Sequence, residues 1–169
     1  MNNKIKFGLF LGLASAALTL IFQDILHVDP NGFSKYTAWI ILFAGIFLGT
    51  KAWRDNEKEG FITYGNALGA GVLIALVSGV VIGVFMMVYV TVINTGFIDQ
   101  ILEASEKSMR ENNQPDDQIE MAMEWTRKFT TPIWITLFSV IGNVFLGFLI
   151  SLITAAILQK KKPEEGNLI

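Results

Sequence analysis

Residues 67–83 read Ala67-Leu68-Gly69-Ala70-Gly71-Val72-Leu73-Ile74-Ala75-Leu76-Val77-Ser78-Gly79-Val80-Val81-Ile82-Gly83. No charge interrupts them. Small residues return at every fourth place: Ala67, Gly71, Ala75, Gly79 and Gly83. On a helix that spacing draws one nearly straight groove with nothing larger than a methyl along it. A second backbone fits such a groove, so the stretch predicts a packed apolar helix. Val81 falls off the row and is expected to face lipid. Upstream lies a short charged turn, Arg54-Asp55-Asn56-Glu57-Lys58-Glu59-Gly60, entered from Trp53.

The same character extends along the chain. Of 169 residues, 52% are hydrophobic and 17% charged, and the charges cluster between long uncharged runs. A soluble domain of this length could not cover so much apolar surface, whereas a multi-pass membrane protein leaves it to lipid. The net charge of −2, with no basic stripe, argues against nucleic acid as a partner. With no cysteine, the chain has no disulfide, thiol catalyst or cysteine metal site.

Four apolar spans are expected, at about residues 5–26, 36–53, 65–93 and 133–158. The first follows Lys4 and Lys6, and Ala14-Ser15-Ala16 resembles a signal-peptidase site. Its apolar character continues through Leu20-Ile21-Phe22, so an uncleaved span is the preferred reading over a signal peptide. Gly8 and Gly12 on the first span, and Gly45 and Gly49 on the second, repeat the four-residue spacing. Together with Gly71, Ala75, Gly79 and Gly83 they are the predicted helix-packing residues. Asp29-Pro30-Asn31-Gly32 marks a turn between the first two spans.

Between the third and fourth spans the composition changes. Residues 99–131 hold eight acids and four bases. Ile98, Ile101, Leu102, Ser105 and Met109 keep a helical rhythm, which Asn112-Asn113-Gln114-Pro115 breaks. Asp116 or Asp117 is expected to cap a second helix, with Glu120 completing a capping box. Residues 97–131 thus read as a helical hairpin, projecting from the membrane or, since its halves are amphipathic, lying along it, with its acidic balance arguing against the second on anionic lipid. Trp125 and Trp134 flank Pro132 at the interface. The fold class is an all-α membrane protein forming one four-span domain over residues 1–169.

Lys and Arg set the orientation. The N-terminus, the Arg54 turn and the C-terminus hold eight, and the other connections five. Both termini are therefore expected in the cytoplasm, with the hairpin outside.

Candidate chemistry is sparse. His27, with Asp24 one turn before it, is at most part of a metal or proton site, since a site needs three or four ligands. The plainer reading is a solvated helix end. Asn143 lies mid-span and reads first as interhelical glue, second as a substrate contact. Thr19, Ser78 and Ser139 are expected to bond the carbonyl four residues earlier. No Asp, Glu, Lys or Arg lies mid-span, which weakens a proton-coupled transporter. No nucleophile–base pair, phosphate loop or His-Glu metal motif occurs. The chain therefore implies no catalytic residue, cofactor or metal.

Several stretches together carry a family likeness. They are Arg54, then Gly60-Phe61-Ile62-Thr63-Tyr64-Gly65-Asn66-Ala67; Asp117-Gln118-Ile119-Glu120-Met121-Ala122-Met123-Glu124; Thr131-Pro132; Gly142 and Gly147; and Ala155-Ala156-Ile157-Leu158-Gln159-Lys160-Lys161. Over nearly the whole chain they resemble a bacterial family of small four-helix membrane proteins catalogued as domain of unknown function 4199. The resemblance implies a four-helix bundle in the bacterial inner membrane and transfers no active-site residue. The expected function is that of a non-enzymatic membrane component. Its partners are the lipid bilayer and, through the hairpin, a membrane protein or a second copy. The alternative is a small oligomeric transporter or channel.

Overall fold

A computed structural model describes residues 2–26 and 34–162. Among them are six α-helices and no β-strand: α1 Asn3–Leu20, α2 Ser34–Glu57, α3 Tyr64–Val88, α4 Phe97–Glu111, α5 Asp116–Phe129 and α6 Pro132–Leu158. Three of these segments are long and apolar enough to cross a membrane: Tyr36–Glu57, Tyr64–Ile93 and Pro132–Leu158. Only 28%, 33% and 22% of their most apolar windows are buried, so most of that surface needs lipid to cover it. The molecule is a membrane protein.

Two compact units divide the chain. Unit 1 comprises the residues up to Ile82 and those from Ile141 onward; unit 2 is Gly83–Val140.

In unit 1, α1 starts where the Asn2 side chain accepts from the Lys4 amide at 2.9 Å. It has no glycine stop. It widens instead into a π-helical turn, Ile21–Ile25, closed by Leu26 N–H on the Ile21 carbonyl. Helix α2 runs one turn past Trp53 to Glu57, further than the expected end at residue 53. Apolar spacing cannot register that extension, because residues 54–57 are all polar. Glu59 and Gly60 then take positive φ, 54° and 82°, and turn the chain into α3.

The core of unit 1 forms two clusters. One joins Leu11, Leu42, Ile46, Ile74 and Ala75. The other joins Trp53, Ile62, Ala67, Ala70 and Ala155. In a bilayer such contacts act through close packing rather than escape from water. Where large chains land on glycines the fit is tight. A Cβ on Gly8 would stand 2.7 Å from Val77 Cβ, and one on Gly12 2.6 Å from Val81 Cβ. Val81 is thus the chain that fills the Gly12 notch, which corrects the lipid-facing expectation. Its neighbour Val80 is the exposed one. The reason is that α3 is contacted on more than one side: α1 packs on Val77 and Val81, while α6 packs on Gly71 and Ala75.

Unit 2 holds the end of α3, which also widens into a π-helical turn, Tyr89–Ile93. Asn94 N–H bonds the Tyr89 carbonyl at 2.7 Å across it. The Tyr89 ring is buried, 5.7 Å from Phe85 and edge-on to Phe97 at 5.4 Å. Helices α4 and α5 follow, with the first turns of α6.

Candidate functional site

The polar features of unit 2 converge where α4 meets α5. Helix α4 ends at Asn112, and Asn113 adopts φ +53°. Asn113 N–H bonds the Arg110 carbonyl at 3.0 Å and Gln114 N–H the Met109 carbonyl at 3.2 Å. Those two bonds make a Schellman closure, with Asn in the left-handed place that its short amide tolerates. Pro115 follows and is itself the N-cap of α5. Asp116 and Asp117 occupy the first turn instead of capping, so the expected capping box does not form. The Pro115 carbonyl takes the Gln118 and Ile119 amides, both at 3.0 Å. The two acids sit where the positive end of the helix dipole favours them.

Arg110 clamps the turn. It donates from Nε and Nη2 to Glu106 Oε1, at 3.1 and 2.9 Å, and from Nη1 to Asp116 Oδ1 at 3.2 Å. The Glu106 hydrogen bond, then its charge, raises the Arg110 pKa above its ordinary value. A raised cation contributes its pairing below that value and loses it only as pH climbs past it, so the guanidinium stays charged at any working pH.

Between the helices lies a cleft of about 750 Å³. Ile119 and Met123, both buried, form its floor. The rim carries Glu106, Asp116, Glu120 and Glu124 against Arg110 and Arg127. An apolar floor inside a mostly acidic rim can receive an apolar side chain borne on a basic segment. Sequence reasoning missed the cleft, although Asp116, Glu120 and Glu124 share a four-residue spacing that puts them in one row.

In unit 1 the polar contacts are of a different kind. Asn143 Nδ2 donates to the Ala75 carbonyl at 2.8 Å and to Ser78 Oγ at 2.9 Å. Ser78 Oγ donates to the same carbonyl at 3.0 Å, three residues back and not the expected four. Thr19, and in unit 2 Ser139, bond the carbonyl four residues earlier. Thr50 and Thr154 are fully buried, and among the described residues neither Oγ1 has a hydrogen-bond partner. No sequence signal distinguishes those two.

The packing residues are distributed as follows. Gly45 meets Leu11, and Gly49 lies between Ile74 and Phe7. Gly71 meets Ser151 and Ile46, Gly83 meets Val140, and Ala75 touches Gly147. Gly79 is buried. Asp24 belongs to the π-helical turn, but its side chain, like the whole of His27, lies outside the described residues. Among the described residues no His, Cys, Asp and Glu cluster is arranged to hold a metal.

One end of unit 1 gathers the basic residues. Arg54 donates to Asp55 at 2.7 Å and to the Leu158 carbonyl at 3.3 Å, closing the end of α6. Ile62 and Lys160 exchange backbone bonds at 2.9 and 2.8 Å. The Asn3 amide donates to Glu57 at 2.8 Å, and the Lys4 ammonium sits 4.1 Å over the Trp53 ring. The start of α1, the Arg54 turn and the end of α6 therefore meet.

Comparison with curated proteins and with solved structures gave no match. The model of the family described as "Protein of unknown function (DUF4199)" matches residues 6–160, and the chain belongs to that family.

Proposed function

We propose that this DUF4199 member is a non-enzymatic, four-span protein of the bacterial inner membrane that holds a partner in the α4–α5 cleft. The first span is α1 with its π-helical turn, Asn3–Ile25. At about 1.5 Å per residue it is long enough to cross the hydrocarbon core. The basic end of unit 1 is cytoplasmic by the positive-inside rule, which places both termini inside and the α4–α5 hairpin outside.

One observation carries the reading: the buried pair Ile119 and Met123 at the base of a mostly acidic cleft. The partner it fits is a basic, amphipathic segment of another membrane protein or of a second copy. Copurification in mild detergent tests this. Glu120→Lys with Glu124→Lys, and separately deletion of residues 97–131, should each lower partner recovery severalfold. Equal recovery from all three chains would overturn the reading.

A second reading, a small oligomeric transporter or channel, draws on Thr50 and Thr154, whose hydroxyls are buried within unit 1 and have no hydrogen-bond partner among the described residues. Against it stands the Leu, Ile and Ala packing of the same unit. Solute or ion flux in vesicles that disappears in Thr50→Val with Thr154→Val would favour it.

A further inference from the structure

Helix α5 carries two apolar rows with opposite fates. Ile119 and Met123 are buried at the cleft floor. Met121, Trp125 and Phe129 recur at every fourth residue and are 61%, 57% and 42% exposed. A third row, Asp116, Glu120 and Glu124, lies about 100° round the helix from Met121 and Trp125. Water suits the acids. It does not suit a Met, a Trp and a Phe in line.

The exposed row does not stop where α5 stops. Trp125 and Phe129 stack with centroids 6.2 Å apart. Phe129 then meets Trp134 edge-on at 5.3 Å and reaches Phe138 at 6.5 Å, and Trp134 stacks on Phe138 at 5.6 Å. Trp134 and Phe138 belong to the first turns of α6, a helix apolar enough to cross a membrane, and both are exposed. One ladder of rings thus joins the surface that lipid must cover on α6 to the outer face of α5. Large aromatic rings with a polar edge favour the headgroup level. Lys128 adds a cation there, its ammonium 5.0 Å over the Trp125 ring. The same ammonium pairs with Glu124 Oε1 at 3.0 Å, and its stem lies on apolar surface.

We propose that α5 lies in the membrane–water interface, with Met121, Trp125 and Phe129 seated at the headgroup–acyl boundary. The occupant of this face is the bilayer itself, because the row continues the apolar surface of α6 without a break. The inference rests on α6 being a span and deepens the proposed function. The cleft side chains Asp116, Ile119, Glu120 and Met123 stand on the other side of α5 from the ring row, so seating the rings turns the cleft to water.

The chain has no cysteine, so single sites can be spin-labelled in the full-length protein. Met121→Cys, Glu120→Cys and Ile141→Cys would be reconstituted in vesicles of phosphatidylethanolamine and phosphatidylglycerol. Collision rates with oxygen and with a water-soluble nickel chelate are then compared. The oxygen-to-nickel ratio at 121 should exceed that at 120 severalfold and approach that at 141. A ratio at 121 equal to that at 120 would overturn the proposal. So would a label at 121 shielded from both reagents, the mark of a protein covering the row. A lipid-exposed label at 141 beside a wet one at 121 removes the interfacial seat alone and leaves the span and the cleft reading intact.

Discussion

Asn143 of α6 donates to the backbone carbonyl of Ala75 on α3, 68 positions away, at 2.8 Å. A side-chain amide reaches a helical carbonyl only where two helices are close. One turn along α6, Gly147 supplies that closeness by touching the Ala75 methyl. The contact is glue of the kind measured at about 1 kcal/mol in membranes. Asn143→Leu keeps the branching and the number of heavy atoms and removes the bonds. It should lower the unfolding free energy in mixed micelles by about that much, seen as an earlier midpoint, with Ser78 still bonded to the Ala75 carbonyl. An unchanged midpoint would mean the bond contributes nothing.

The glycine rows mostly receive large neighbours: Val77 and Val81 on Gly8 and Gly12, Leu11 on Gly45, Ile74 and Phe7 on Gly49. Overfilling such a notch costs about 1–3 kcal/mol for a small addition and more for a large one. Gly12→Leu drives a side chain into Val81 and toward the Ser78 carbonyl, 3.0 Å from where its Cβ would stand. It should abolish a monodisperse peak in size-exclusion chromatography. Val80→Leu, on the exposed side of α3, should leave that peak as it is.

Much of this architecture is legible in residue spacing, and the unread parts have physical causes. Long uncharged runs identify α2, α3 and α6 because length and apolarity are local properties. Small residues at fours show where a helix is narrow but not what enters the gap, which is why Val81 reads as lipid-facing until Gly12 is seen beneath it. Apolar rhythm goes silent in Arg54–Glu57, where α2 continues on polar residues. The π-helical turns at Ile21–Ile25 and Tyr89–Ile93 shift one bond per turn and leave no mark in composition. The cleft needs two helices brought side by side by the turn at Asn113, a tertiary fact.

Arg54 closes α6 from a helix more than a hundred positions away, through Nη1 on the Leu158 carbonyl. The last carbonyls of a helix have no partner of their own. Arg54→Ala should cost about 1 kcal/mol, a typical net hydrogen-bond contribution. Amide exchange should rise in the last turn of α6 and at the Ile62–Lys160 bridge, with the middle of α6 unaffected. Exchange unchanged at residues 156–160 would show that the carbonyl is satisfied without the guanidinium.

Asn113 sets the angle between α4 and α5 by holding φ at +53°. Left-handed backbone costs an ordinary L residue about 1–2 kcal/mol, a β-branched one most, while Asn and Gly adopt it readily. Asn113→Gly should therefore preserve the turn, and Asn113→Val should open it. Opening separates Arg110 from Asp116, since that pair spans the turn, but leaves the Arg110–Glu106 pair within α4. Amide exchange should then rise at Asn113 and Gln114, whose N–H groups close the end of α4, and in the first turn of α5. Partner recovery should fall with it, because Glu106 and Arg110 of the rim come before the turn, and the floor and the rest of the rim come after it. Equal protection and equal recovery in Asn113→Val would mean that the turn does not set the cleft.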